Sequence, residues 1–125
     1  MDMDAQSAAG AGSGVEDLTP LEVLIQLYEG AIQFLERSAA ACEEGQVDEF
    51  KEWLLRGQRI IEEFQRTLDF SQGGGVSEQL NELYGFMLEN LTQAGLTHDT
   101  QYVRLVVSHL TTLLDGWRSA VASMD

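Results

Sequence analysis

Residues Thr19 to Glu44, TPLEVLIQLYEGAIQFLERSAAACEE, constrain the fold more than any other stretch of the chain. Thr19 suits a helix N-cap, and Pro20 falls at the first helical position, where its missing N–H costs nothing. At 100° per residue the apolar side chains overfill a single stripe. Leu21, Ile25, Ile32 and Ala39 lie at one edge, Leu24, Tyr28, Ala31, Leu35 and Cys42 in the middle, and Val23, Leu27 and Phe34 at the other edge. The arc is roughly 200° wide, against about 100° for a helix that buries one face. Such a helix needs neighbours on more than one side, and a small bundle leaves part of it over.

Three further apolar periodicities follow, each set off by a break. EEGQVD closes the first helix, with Gly45 as its C-cap and Asp48 as the next N-cap. A second helix is predicted from about Asp48 to Phe70. Phe50, Trp53, Leu54, Ile60, Ile61, Phe64 and Leu68 share one face of it, and Gly57 lies on that face, open to close approach by another helix. Leu55 points the other way. SQGGG, residues 71–75, is the strongest break, a turn rather than a phosphate loop, since no strand precedes it and no Lys-Ser/Thr pair follows. Ser77 opens a third helix running to about Ala94 with Gly95 closing it, and Phe86 falls on its polar side. Asp99 or Thr100 caps a fourth, to about Ser123, with Leu105 projecting outward near His109. Four helices joined by short connections predict an all-α, antiparallel up-down four-helix bundle over residues 19–125. Residues 1–18, rich in Ala, Gly, Ser and Asp, read as a flexible tail in which Val15 and Leu18 are the only sizeable apolar groups near its end.

Composition narrows the function. The net charge of −14, from 21 acidic and 7 basic residues, argues against nucleic acid and against an anionic membrane surface, both of which select Lys and Arg. No run approaches ~18 consecutive apolar residues, so membrane insertion is not expected. A lone cysteine, Cys42, excludes an internal disulfide, fits the reducing cytoplasm and reads as a structural thiol. The N-terminal MDMDAQSAAGAGSG has neither the basic nor the apolar segment of a secretory signal.

Chemistry is sparse. A di-metal bundle needs Glu-x-x-His pairs, yet neither His98 nor His109 follows a Glu by three residues, and there is no second thiol for zinc. Adjacent carboxylates such as Glu43–Glu44 and Glu62–Glu63 read as a solvated face. No enzyme, metal or cofactor is expected. What stays unaccounted for is apolar: Val23, Leu27 and Phe34 at the edge of the first helix, then Leu55, Phe86 and Leu105, each alone on a polar face. These six are candidate contacts for amphipathic or extended segments of a protein partner. A generic helical adaptor, or a homodimer formed in the absence of a client, is the alternative.

TPLEVLIQLYEGAIQFL resembles the opening of the FliS family of flagellin-specific export chaperones, with Tyr28, Gly30 and Ala31 in place and Glu29 where Asp is usual. LDFSQGGGVSEQLNELYGFM resembles the family's second signature through Leu68, Asp69, Gly73, Gly74, Leu80, Leu83 and Tyr84. LTQAGLTHD and Trp117 are similar to its third. The resemblance spans about Thr19 to Arg118. It implies a cytosolic chaperone that binds the disordered C-terminal segment of flagellin, prevents premature polymerisation and presents it to the export-gate membrane protein FlhA. Family members commonly carry Tyr in the N-terminal segment; residues 1–18 here have no aromatic.

Overall fold

A computed structural model describes residues 18–72 and 74–124. It contains α1 (Pro20–Glu43), α2 (Val47–Arg66), a 3₁₀ turn (Phe70–Gln72), α3 (Val76–Thr97) and α4 (Thr100–Ser123). Each helix packs against its chain neighbours, and α4 returns to α1, while the diagonal helices keep their backbones apart and meet only through side chains in the core. Pairs across the interfaces run in opposite senses: Glu29 meets Arg118 and Glu43 meets Arg104, so α1 and α4 are antiparallel. This is the expected up-down bundle. The tail expected over residues 1–18 lies outside the described residues, Val15 with it, except for Leu18, which is half-buried.

Thr19 closes a capping box. Its hydroxyl accepts from the Glu22 N–H, and the Glu22 carboxylate accepts from the Thr19 N–H at 3.0 Å. The other end of α1 is a Schellman motif: the Gln46 N–H reaches the Ala41 carbonyl and the Gly45 N–H the Cys42 carbonyl. Gly45 stands just past the Glu44 cap at φ 77°, the left-handed position that glycine takes without Cβ strain.

Several sequence-based boundaries move. Asp48 does not cap α2; Gln46 occupies that position without a side-chain cap, because the chain leaves the Schellman turn directly into the helix. Asp48 and Glu49 instead lie in the first turn, favourably placed toward the positive end of the helix dipole. α2 stops at Arg66 rather than Phe70. The Thr67 hydroxyl bonds back to the Glu63 carbonyl at 2.8 Å, and the Asp69 carboxylate accepts from Ser71 N–H at 2.9 Å, which turns the chain and leaves Phe70 exposed. Gly95 does not end α3. It packs against Leu54 inside the helix, where a Cβ would lie 3.5 Å from that side chain, and the left-handed capping role falls to His98 at φ 58°. The His98 ring stands edge-on to Phe50, centroids 5.4 Å apart. Asp99 caps α4 through the Gln101 N–H.

The core is one continuous cluster contributed by all four helices, among them Tyr28, Leu35, Phe50, Ile61, Met87, Leu91, Val103 and Leu110. Gly57 performs the expected service. Leu35 of α1 sits so close over it that an added Cβ would meet Leu35 Cδ2 at 2.5 Å. Part of the wide α1 arc is therefore consumed by packing on both α2 and α4.

Candidate protein-binding surfaces

Five of the six candidate contacts remain substantially open: Val23, Leu27, Leu55, Phe86 and Leu105 are 40–45% exposed. They do not form one patch. Val23, Leu27 and Phe34 line the flank of α1 that faces α2, four and seven residues apart, and so share one helical face. Phe34 is half-buried, because its ring stacks on Trp53 of α2 with centroids 5.6 Å apart and planes at 26°. Arg37 lies over the Trp53 ring at 4.9 Å, and Arg56, bonded to Glu52 at 2.9 Å, lies over the same ring at 5.0 Å. This aromatic–guanidinium stack gives the first face a rigid floor. Gly30 lies between Leu27 and Phe34 with open space where a side chain would stand.

Phe86 and Leu105 form a second face, between α3 and α4. Phe86 stands perpendicular to His109, ring centroids 5.6 Å apart, and Leu105 is one turn from His109 on α4. The Asn90 amide donates to the Phe86 carbonyl at 2.9 Å. Two open recesses, of about 420 and 580 Å³, meet at Asn90; the first holds Phe86 and the second Leu105 and Tyr102. Leu55 joins neither face: two residues from Trp53, it is turned about 160° away round α2.

A third groove was not legible in the sequence. Between α1 and α4 a recess of about 440 Å³ is lined by Leu35, Ala39, Ala40, Val103, Val107 and Ser108, with the Glu43–Arg104 ion pair at its edge. Small side chains make this groove, and a search for surplus bulky residues passes over them. Only the facing of α1 Ala39 and Ala40 with α4 Ser108 reveals it. Phe70, Val76, Leu96 and Met124 are also exposed, all at helix ends, where periodicity carries no signal.

Tyr28 and Tyr84 lie inside the bundle, as the sequence indicates, and Trp117, half-buried, packs against the core. The two hydroxyls share a hydrogen bond of 2.5 Å between α1 and α3, and Phe64 of α2 stacks on Tyr28 at 4.6 Å. Burial raises the pKa of both tyrosines. For Tyr28, interaction with Tyr84 and then with the Trp117 indole opposes that rise. Trp117 stands edge-on to Tyr28 at 6.2 Å, and its buried Nε1–H completes no hydrogen bond among the described residues. Cys42 donates through Sγ to the His98 carbonyl at 3.4 Å. Partial burial, then the Glu43 and Asp99 carboxylates, push its pKa up, so the thiol stays protonated and a poor nucleophile at neutral pH. No helix among the described residues is long and apolar enough to cross a membrane.

The fold and its surface define a class: a helical bundle whose chemistry lies in apolar side chains left on the outside of a closed core. The family described as flagellar protein FliS matches residues 3–124, and the chain belongs to that family. A relative from Bacillus subtilis, named flagellar secretion chaperone FliS, is 30% identical over 111 residues, covering 89% of this chain and 82% of the relative. The Salmonella typhimurium protein of the same name is 30% identical over 115 residues, covering 91% and 85%. A solved structure titled "Crystal structure of flagellar chaperone from bacteria" superposes with a TM-score of 0.79 over 87% of this chain and 89% of its own; at 21% identity that likeness concerns the fold. Members of this family are chaperones, not enzymes.

Proposed function

We propose that this chain is a cytosolic export chaperone that binds the C-terminal segment of flagellin, prevents premature polymerisation and hands the subunit to the flagellar type III export apparatus through the gate protein FlhA. The observation that carries this reading is the apolar excess. Every helix keeps a large apolar side chain at least 40% exposed outside an already complete core: Val23 and Leu27, Leu55, Phe86 and Leu105. A client whose ends are amphipathic helices, unpaired until they enter the filament, needs such a substitute surface. Coupled folding on these faces would bury about 1,000–3,000 Å² and give a negative ΔCp. No nucleotide is required, because release follows when the export machinery competes for the client.

Calorimetry of the full chain with a peptide of the cognate flagellin C-terminus tests the reading. One-to-one binding with negative ΔCp is expected. Leu27→Asp should weaken it at least tenfold while leaving Tm within a few degrees, since Leu27 is 43% exposed. Absence of heat together with a stable dimer in light scattering would overturn the chaperone reading in favour of a self-associating adaptor.

A further inference from the structure

The two apolar faces differ in charge, and the difference identifies what the second one takes. Among the basic residues, Arg37, Lys51, Arg56, Arg59 and Arg66 all lie on α1 or α2. α3 carries Glu78, Glu82 and Glu89 and no Lys, Arg or His at all. α4 has two arginines, but Arg104 and Arg118 turn to α1, where Glu43 and Glu29 engage them. Arg104 therefore borders the Leu105 recess with its guanidinium already committed. The α3/α4 trough consequently presents Phe86, Leu105 and Tyr102 beside an acidic border, with His109 edge-on to Phe86 and, among the described residues, no unpaired Lys or Arg lining it. Glu89 lines the recess beside Phe86, and Glu82 lies one turn before Phe86, exposed. Neither glutamate is ion-paired among the described residues.

We propose that the α3/α4 trough takes a protein segment whose apolar residues seat on Phe86 and Leu105 and whose flanking positions carry Lys or Arg, set against Glu82 and Glu89. A second copy of this chain is disfavoured as the occupant, because two-fold packing of this face would bring Glu82 and Glu89 against the same unpaired carboxylates. An anionic lipid surface meets the same repulsion. The α1/α2 face, with Arg37 and Arg56 stacked over Trp53, sets no such demand. A client laid across both faces therefore has only one orientation in which its basic segment reaches α3. The inference takes from the chaperone reading only that the trough receives a protein segment; the charge of that segment comes from the border.

Two synthetic amphipathic peptides of ~18 residues, about 27 Å as helices, share one Leu stripe and differ only in Lys or Glu flanks. The Lys peptide is expected to bind the full chain about tenfold more tightly than the Glu peptide, and to weaken as salt is added. The variant E82K/E89K, altered only at exposed positions, should reverse that preference, and F86D should abolish Lys-peptide binding where L27D does not. Equal affinity for the two peptides, no response to E82K/E89K, or loss with L27D in place of F86D overturns the proposal. The cognate flagellin segment is run in parallel to separate the two readings. If it binds, yet ignores both salt and E82K/E89K, the charge inference fails and the chaperone reading stands. If it does not bind while the Lys peptide does, with Glu82/Glu89 dependence, the trough's chemistry stands and the client assignment fails.

Discussion

Gly57 shows how far one absent methyl shapes the bundle. A Cβ there would lie 2.5 Å from Leu35 Cδ2 and 2.8 Å from its Cγ, so the fully buried Leu35 has to shift to admit it. Overpacking costs about 1–3 kcal/mol, while the gain in helix propensity is about 1 kcal/mol. Gly57→Ala should therefore destabilise by about 1 kcal/mol and Gly57→Val by more, read from urea midpoints at unchanged m. Gly116 is the opposite case. With open space at its Cβ, Gly116→Ala should stabilise by about 0.5–1 kcal/mol in the same measurement. The tyrosine pair makes a pH prediction. Both pKa values are raised in the folded state, so this contribution is fully present below the unfolded value of about 10 and is lost as pH rises beyond it. Urea stability should fall above about pH 10, and the Tyr28→Phe/Tyr84→Phe double variant should lose that part of the slope.

At the scale of elements, the helices themselves were legible and their ends were only partly so. Thr19 and Pro20 mark a start that local chemistry alone enforces, and the structure keeps it. Gly95, read as a stop, sits inside α3 because Leu54 of α2 packs against the space it leaves, and that contact is non-local. His98 caps the helix at positive φ, a conformation uncommon for non-glycine residues but in which histidine is enriched, and its ring makes an edge contact with Phe50. Asp99, by contrast, is an ordinary N-cap. Asp99→Ala should cost about 0.5–2 kcal/mol, measured by denaturant unfolding, and should leave α3 intact.

For the whole molecule, the net charge of −14 sets a background that the local ion pairs only partly offset. The α1–α4 pairs, Glu29–Arg118 and Glu43–Arg104, are exposed and contribute about 0–1 kcal/mol each. Self-repulsion of the remaining carboxylates outweighs them. Adding salt should raise Tm, and a fall instead would show that the ion pairs dominate.

The chain alone determined that four amphipathic helices form, most of the side chains that enter the core (Trp53, read as inward, instead stacks on Phe34 outside it), and that Val23, Leu27, Leu55, Phe86 and Leu105 are left outside. Each of these follows from periodicity within a single helix, which is a local property. Only the tertiary structure decided how the leftovers are grouped. Phe34 settles onto Trp53, Phe86 and Leu105 share a trough, Leu55 stands apart, and the small-residue groove of Ala39, Ala40 and Ser108 appears at all. Those groupings depend on which helix faces which and in what register. Register is set by side chains meeting across helices, such as Leu35 over Gly57 and Tyr28 against Tyr84, between residues far apart in the chain.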